Sequence, residues 1–320
     1  GGDPSRVMIM GESAGAVSVC ALLASPKAAG LYHAAVMQSG GCTARRLEEA
    51  GAFGRKFARR AGCAEDTAAC LRRLTPEQLL NVLPIEVSVA ADTGDYGSVI
   101  DGEVQPQAPL AAILAGRHNR VPAIVGANAD ETSLSAPPIV GGAQYAAIVA
   151  GQFGPLAPLV LRQYPAGDYD SPRSAYVALT TGARFVCTSR RTALTLAESQ
   201  SQPVFRCFFS FVPENASPAL RRAGTWHGLD IFYLCETLDG AGGYQSGARD
   251  EEIAHAFQDC WSQLAAAGDP NRAGLPAWPR YTADGPYLEL NAPPRSGTGL
   301  RAEACDFWDR LSDWLTPPGR

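Results

Sequence analysis

The run Gly11-Glu12-Ser13-Ala14-Gly15 constrains this chain more than any other stretch. Its G-x-S-x-G pattern is that of a nucleophile elbow, a serine on a sharp turn between a strand and a helix. The flanks fit. Residues 6–10 are a short apolar, β-prone run, and residues 16–23 are apolar and long enough for a helix. Glycines on both sides are expected because strand and helix approach too closely for side chains, while the serine is held strained and exposed. A hydroxyl alone is a weak nucleophile, so the chain has to supply a base and an acid elsewhere.

Four strands of the buried type follow from the apolar runs at 6–10, 34–38, 121–125 and 204–211. Ser39-Gly40-Gly41 stops the second, and Gly126 is read as the stop of the third. A further strand is expected near 287–290. Helical patterns lie between them, at 47–60, 108–115, 190–198 and 251–267. Another begins at Thr75-Pro76-Glu77-Gln78, a capping box with proline at the first helical position. Strands alternating with helices predict a mostly parallel sheet with helices on both faces. The Pro/Gly-rich stretches 136–142, 240–247 and 293–299 read as surface loops of one α/β domain spanning residues 1–320.

With 46% hydrophobic and 18% charged residues, the 320-residue chain has enough apolar surface for a large core. The net charge of −5 and the lack of a basic stripe argue against a nucleic-acid partner. No apolar run approaches the ~18 residues of a membrane span. No CxxC is present, and the cysteine spacings do not suggest a zinc site. Nothing in the sequence assigns an oligomeric state.

In an elbow-type site the nucleophile, acid and histidine follow in chain order, each at the end of a strand. Only four histidines exist. His33 and His118 lead into strands rather than leaving them, and His255 lies within a charged helix. His227 follows the fourth strand, at the end where open α/β sheets bind and react. It is the expected base. The acid should leave the third strand, where Asp130 and Glu131 both qualify by position.

Taken together, the chain resembles the type-B carboxylesterases, the cholinesterase-like branch of the α/β hydrolases. The resemblance runs through Gly1-Gly2-Asp3-Pro4-Ser5-Arg6-Val7 into Gly11-Glu12-Ser13-Ala14-Gly15-Ala16. It continues through Gln38-Ser39-Gly40, Gly126…Asn128…Asp130-Glu131, His227-Gly228, Gly268-Asp269-Pro270-Asn271, Trp278-Pro279 and Phe307-Trp308, in the family's order. It implies an α/β-hydrolase fold and hydrolysis of a small-molecule carboxylic ester through an acyl-enzyme, with no cofactor and no metal. It selects Glu131 over Asp130 as the acid of a Ser13–His227–Glu131 triad. It marks Glu12 as a buried acid beside the nucleophile and Ser39 as a hydroxyl bonding the triad glutamate. Asp230 stands where the family usually has a longer glutamate.

The resemblance also pairs Cys63 with Cys70 and Cys187 with Cys305, the second bridge pinning the C-terminal helix. Disulfides imply an oxidising compartment, hence a secreted or periplasmic protein. The other five of nine cysteines, at 20, 42, 207, 235 and 260, have no clear partners.

One family feature has no counterpart. The His-Gly-Gly-Gly loop that supplies most oxyanion donors is not in this sequence, which leaves the Ala14 N–H. Losing one such donor costs ~100- to 1000-fold in rate. The expectation is a C-terminal portion of a longer protein. It would lack the first half of the sheet, leave one edge of the first strand unpaired, and show little esterase activity alone. The rival from another class is a non-catalytic, cholinesterase-like binding module.

Overall fold

The computed structural model describes residues 2–65, 67–83, 96–274 and 277–315. In chain order the strands are β1 (Met8–Glu12), β2 (Ala34–Gln38), β3 (Arg45–Arg46), β4 (Val99–Ile100), β5 (Ala123–Asn128), β6 (Val204–Phe209), β7 (Pro286–Leu290) and β8 (Arg295–Thr298). Six form one sheet in the order β1-β2-β5-β6-β7-β8, and β3 pairs separately with β4. Neighbours run parallel from β1 to β7, and β8 returns antiparallel.

Every residue of β2, β5 and β6 is buried. That is how central parallel strands covered on both faces read: as continuous apolar runs without alternation. Alternate residues of β2 feed opposite layers, as a strand's two-residue period requires. Ala34 and Val36 pack with Phe205, Phe257, Trp261 and Trp278 on one face. Ala35 and Met37 pack with Val19, Leu23 and Leu196 on the other. A third cluster, around Tyr145, Tyr176, Phe185 and Trp308, sits over the carboxyl ends of β5 and β6 through Ala127 and Phe208. Among the described residues β1 is an edge strand, and Met10 is 41% exposed.

Several boundaries differ from expectation. The first strand runs to Glu12 rather than Met10, because Glu12 stays in register with Gln38. Gly126 does not end the third strand but lies inside it. A Cβ there would come within 2.1 Å of Cys207 Sγ on β6, so the close strand approach requires glycine. The stretch 293–299 is not all loop: β8 pairs with β7 from Pro286↔Thr298 to Glu289↔Arg295. Thr75 does cap Pro76–Leu80, exchanging hydrogen bonds with Gln78 in both directions.

The expectation about membrane-length segments also changes. Residues 142–168 form a helical stretch that length and a mean hydropathy of 1.2 alone would let cross a membrane. It is broken at Gly154 into helices Gly142–Phe153 and Ala157–Gln163. Tyr145, Val149, Val160 and Tyr164 from it are buried in the third cluster.

Three disulfides form: Cys63–Cys70, Cys187–Cys305 and Cys20–Cys42. The last corrects the reading that left Cys20 and Cys42 unpaired. It ties helix Ala14–Ala24 to the segment leaving β2. Cys207 and Cys260 are buried thiols and Cys235 is an exposed one.

Candidate active site

Parallel pairing in register brings the carboxyl ends of β1, β2, β5 and β6 to one rim. Ser13 follows β1 at φ 56°, ψ −118°, a backbone state that side-chain-bearing residues rarely adopt. Its N–H donates to Gln38 O at 2.9 Å. Packing holds this turn. A Cβ on Gly11 would lie 2.2 Å from the Gly15 carbonyl carbon, and one on Gly40 would lie 2.6 Å from Ser13 O. Gly15 differs from expectation: among the described residues a Cβ there meets nothing within 4 Å. Crowding therefore accounts for Gly11 and Gly40 but not for Gly15. Ser13 N-caps helix Ala14–Ala24 without a side-chain capping bond, which leaves its Oγ for another partner. The Ala14 N–H belongs to the first turn, where N–H groups have no intrahelical acceptor.

That partner is His227. Its Nε2 lies 2.7 Å from Ser13 Oγ, and its Nδ1 lies 2.6 Å from Glu131 Oε2. The Glu131 side chain is fully buried. Its other oxygen, Oε1, accepts the Asn128 N–H at 2.7 Å. The His227 N–H donates to Glu131 O at 3.2 Å, so the histidine and acid loops are joined through backbone as well. The Phe185 ring centroid packs 4.9 Å from the imidazole. The Nδ1–carboxylate contact fixes the proton on Nδ1 and leaves Nε2 as the acceptor for the serine hydroxyl.

Burial alone would lower the pKa of His227. The hydrogen bond and charge of Glu131, with the charges of Glu12 and Asp230, outweigh it and hold His227 above the ordinary histidine value. Glu12 Oε1 lies 3.3 Å from His227 Nε2 and, among the described residues, has no hydrogen-bond partner. Burial pushes Glu12 up to about 7, against the opposing pull of His227.

One expectation for the surrounding shell changes. Ser39 does not bond Glu131: it sits at φ 54°, 1% exposed, and among the described residues its Oγ has no hydrogen-bond partner. The backbone of Asn128 takes the free Glu131 oxygen instead. Asp230 is buried and does not reach Glu12. Its Oδ2 accepts from Gln38 Nε2 at 2.5 Å and its Oδ1 from Asn128 Nδ2 at 3.1 Å. Burial and the Glu131 charge push Asp230 up to about 6 despite those donors. Asn128, Gln38 and Phe185 carry roles that sequence reasoning did not assign. Of the other histidines, His118 bonds Gln200 and His255 faces Glu236 at the surface.

A cleft of about 1410 Å³ opens over Ser13 and His227. Phe153, Leu156, Phe185 and Trp308 give it apolar walls, and Arg184 and Arg191 also line it. Of the two segments expected to shape the substrate pockets, 153–164 contributes Phe153 and Leu156. From 93–98, Tyr96, Gly97 and Ser98 contribute, and 93–95 lie outside the described residues.

A mostly parallel sheet with a strained serine at the β1 turn, facing a histidine beyond β6, is the arrangement of the α/β-hydrolase fold. The sequence matches the Carboxylesterase family over residues 1–152 and 156–308, and the chain belongs to that family. It is 30% identical to liver carboxylesterase B-1 of Rattus norvegicus, over 97% of this chain and 61% of that protein. It is 29% identical to carboxylesterase 1C of the same species, over 97% and 60%. Against the cocaine esterase of Homo sapiens it is 28% identical, over 97% and 58%. The chain thus spans about three-fifths of the length of these relatives.

Proposed function

We propose that the protein hydrolyses carboxylic esters through Ser13, His227 and Glu131. The observation that carries this is the unbroken chain of contacts from Ser13 Oγ through both imidazole nitrogens to a fully buried carboxylate. His227 Nε2 takes the hydroxyl proton as Ser13 Oγ attacks the ester carbonyl. Glu131 stabilises the resulting imidazolium and stays ionised. The tetrahedral oxyanion lies against the Ala14 N–H. His227 then protonates the departing alcohol, leaving an acyl group on Ser13. Water, activated by the same imidazole, repeats the sequence and releases the acid. The apolar walls of the cleft suit neutral esters with hydrophobic groups. Three disulfides support residence in an oxidising compartment. Membership of the family and all three side chains in contact favour this reading over a non-catalytic binding module.

The test is hydrolysis of p-nitrophenyl acetate by the protein and by Ser13→Ala and His227→Ala. The expected result is turnover that depends on both Ser13 and His227. Hydrolysis unchanged in Ser13→Ala would overturn the reading.

A further inference from the structure

Asp130 stands beside Glu131, but its carboxylate points to a different loop. Its Oδ2 accepts the Thr225 N–H at 3.0 Å, and its own N–H donates to Thr225 O at 3.0 Å. One residue further along the acid loop and two along the histidine loop, the His227 N–H donates to Glu131 O. The acid loop and the histidine loop therefore run side by side as a short ladder. Asp130 supplies a side-chain rung to Thr225, two residues before the base, and Asn128 Nδ2 supplies another to Trp226 O at 2.8 Å. The rung is anchored at both ends. Thr225 is fully buried, and its Oγ1 donates to Phe211 O just past β6. Behind Asp130, Arg301 Nη2 donates to Ala129 O at 2.9 Å, and the Asp130 charge acts on that guanidinium. Room for the carboxylate is reserved by Gly224, at φ 65°, where a Cβ would fall 2.2 Å from Asp130 Oδ2.

We propose that Asp130 is a positioning residue, which by holding Thr225 sets the distance and angle at which the Glu131 carboxylate meets His227. It acts through those residues and touches no reacting atom. This rests on the proposed reading of Ser13, His227 and Glu131. The physical reason is leverage: the Glu131–His227 contact is made by side chains on two separate loops. Without the Asp130 side chain the two loops keep only their backbone bonds and the Asn128 tie, and near-attack geometry is lost with shifts of about 1 Å.

The experiment compares the native protein with Asp130→Ala and Asp130→Asn by two readouts. One is the rate at which a fluorophosphonate labels Ser13, followed across pH. The other is the downfield proton resonance of His227 Nδ1–H, which needs no turnover. The carboxylates acting on His227 include Glu131, Glu12 and Asp230, and these substitutions alter none of them. Asp130→Ala is expected to slow labelling by about 10- to 100-fold, to move its acid limb to lower pH, and to weaken the resonance. Asp130→Asn keeps an oxygen for the Thr225 N–H and is expected to recover most of the loss. The proposal is overturned if Asp130→Ala labels at the native rate with an unmoved limb, or if Asp130→Asn is equally impaired. Should Asp130→Ala fail to fold, Asp130→Asn against Asp130→Ser decides: labelling in the order native, Asn, Ser supports the cross-tie, and equal rates refute it. A native protein that never labels at Ser13 refutes the nucleophile assignment instead, and the resonance then judges Asp130 alone.

Discussion

The two halves of the site are held by different forces. At the nucleophile end, the turn from β1 into helix Ala14–Ala24 is fixed by close packing around Gly11 and Gly40 and by a strained serine. Polar atoms there are left over: among the described residues, Glu12 Oε1 and Ser39 Oγ are buried without hydrogen-bond partners. At the acid–histidine end, the loops carrying Glu131 and His227 are joined by directional hydrogen bonds from Asn128, Asp130, Thr225 and His227. Packing sets the position of an atom that has to move little. Hydrogen bonds set the orientation of a ring that, in the proposed mechanism, has to take up and release a proton.

Glu131→Gln breaks the bonded half most directly. It removes the charge that stabilises the imidazolium and offers Nδ1 an amide in place of a carboxylate. Serine-dependent hydrolysis should fall by about 10³- to 10⁴-fold, with the thermal midpoint less affected than in a packing variant. Steady-state rates and calorimetry on the same sample check it. Gly40→Ala breaks the packed half. A Cβ 2.5 Å from Ala16 Cβ and 2.6 Å from Ser13 O forces the elbow apart. The expected cost is about 1–3 kcal/mol of stability together with lost activity, read by urea unfolding. A full-stability, active Gly40→Ala would show that the elbow is looser than drawn here.

Glu12→Gln acts where the halves meet, and its effect is smaller and pH-dependent. When ionised, Glu12 raises the pKa of His227, so removing its charge should move the acid limb of kcat/KM to lower pH by a fraction of a unit. Stability carries its own sign. Glu12 is raised from 4.5 to about 7, so between those values the folded state holds the proton that the unfolded state has lost. Stability from this group is present below the unfolded pKa and is lost as pH rises through about 7. The gain in thermal midpoint of Glu12→Gln over the native protein should therefore grow from pH 4 to pH 8. A constant difference would place the Glu12 carboxyl in ordinary solvent.

These two kinds of support also explain what could be read in the sequence. The wholly buried strand Ala34–Gln38 was legible to the residue, because an uninterrupted apolar run bounded by Ser39-Gly40-Gly41 has few alternatives. Gly126 misled because a glycine reads as a stop when the reason for it, Cys207 Sγ on β6, is 81 residues away. β8 was invisible: Arg295-Ser296-Gly297-Thr298 has no apolar alternation and is held by backbone pairing to β7. Helix Gly142–Phe153 starts from Gly141 with no side-chain cap, so it gave no start signal. The Cys20–Cys42 bridge depends on how helix Ala14–Ala24 packs beside β2, which spacing does not encode. In the site, Ser13 and His227 were legible from their places after strands, and the choice of Glu131 needed the family resemblance. The tie between Asp130 and Thr225 was not legible, since it joins two loops across the rim of the sheet.

In the proposed mechanism His227 activates one hydroxyl, that of Ser13. Fluorophosphonate treatment followed by peptide mass spectrometry tests this step. A single adduct is expected on the peptide bearing Ser13, absent in His227→Ala at the same pH. A folded native protein that gains no adduct there, or gains it equally without His227, would contradict it.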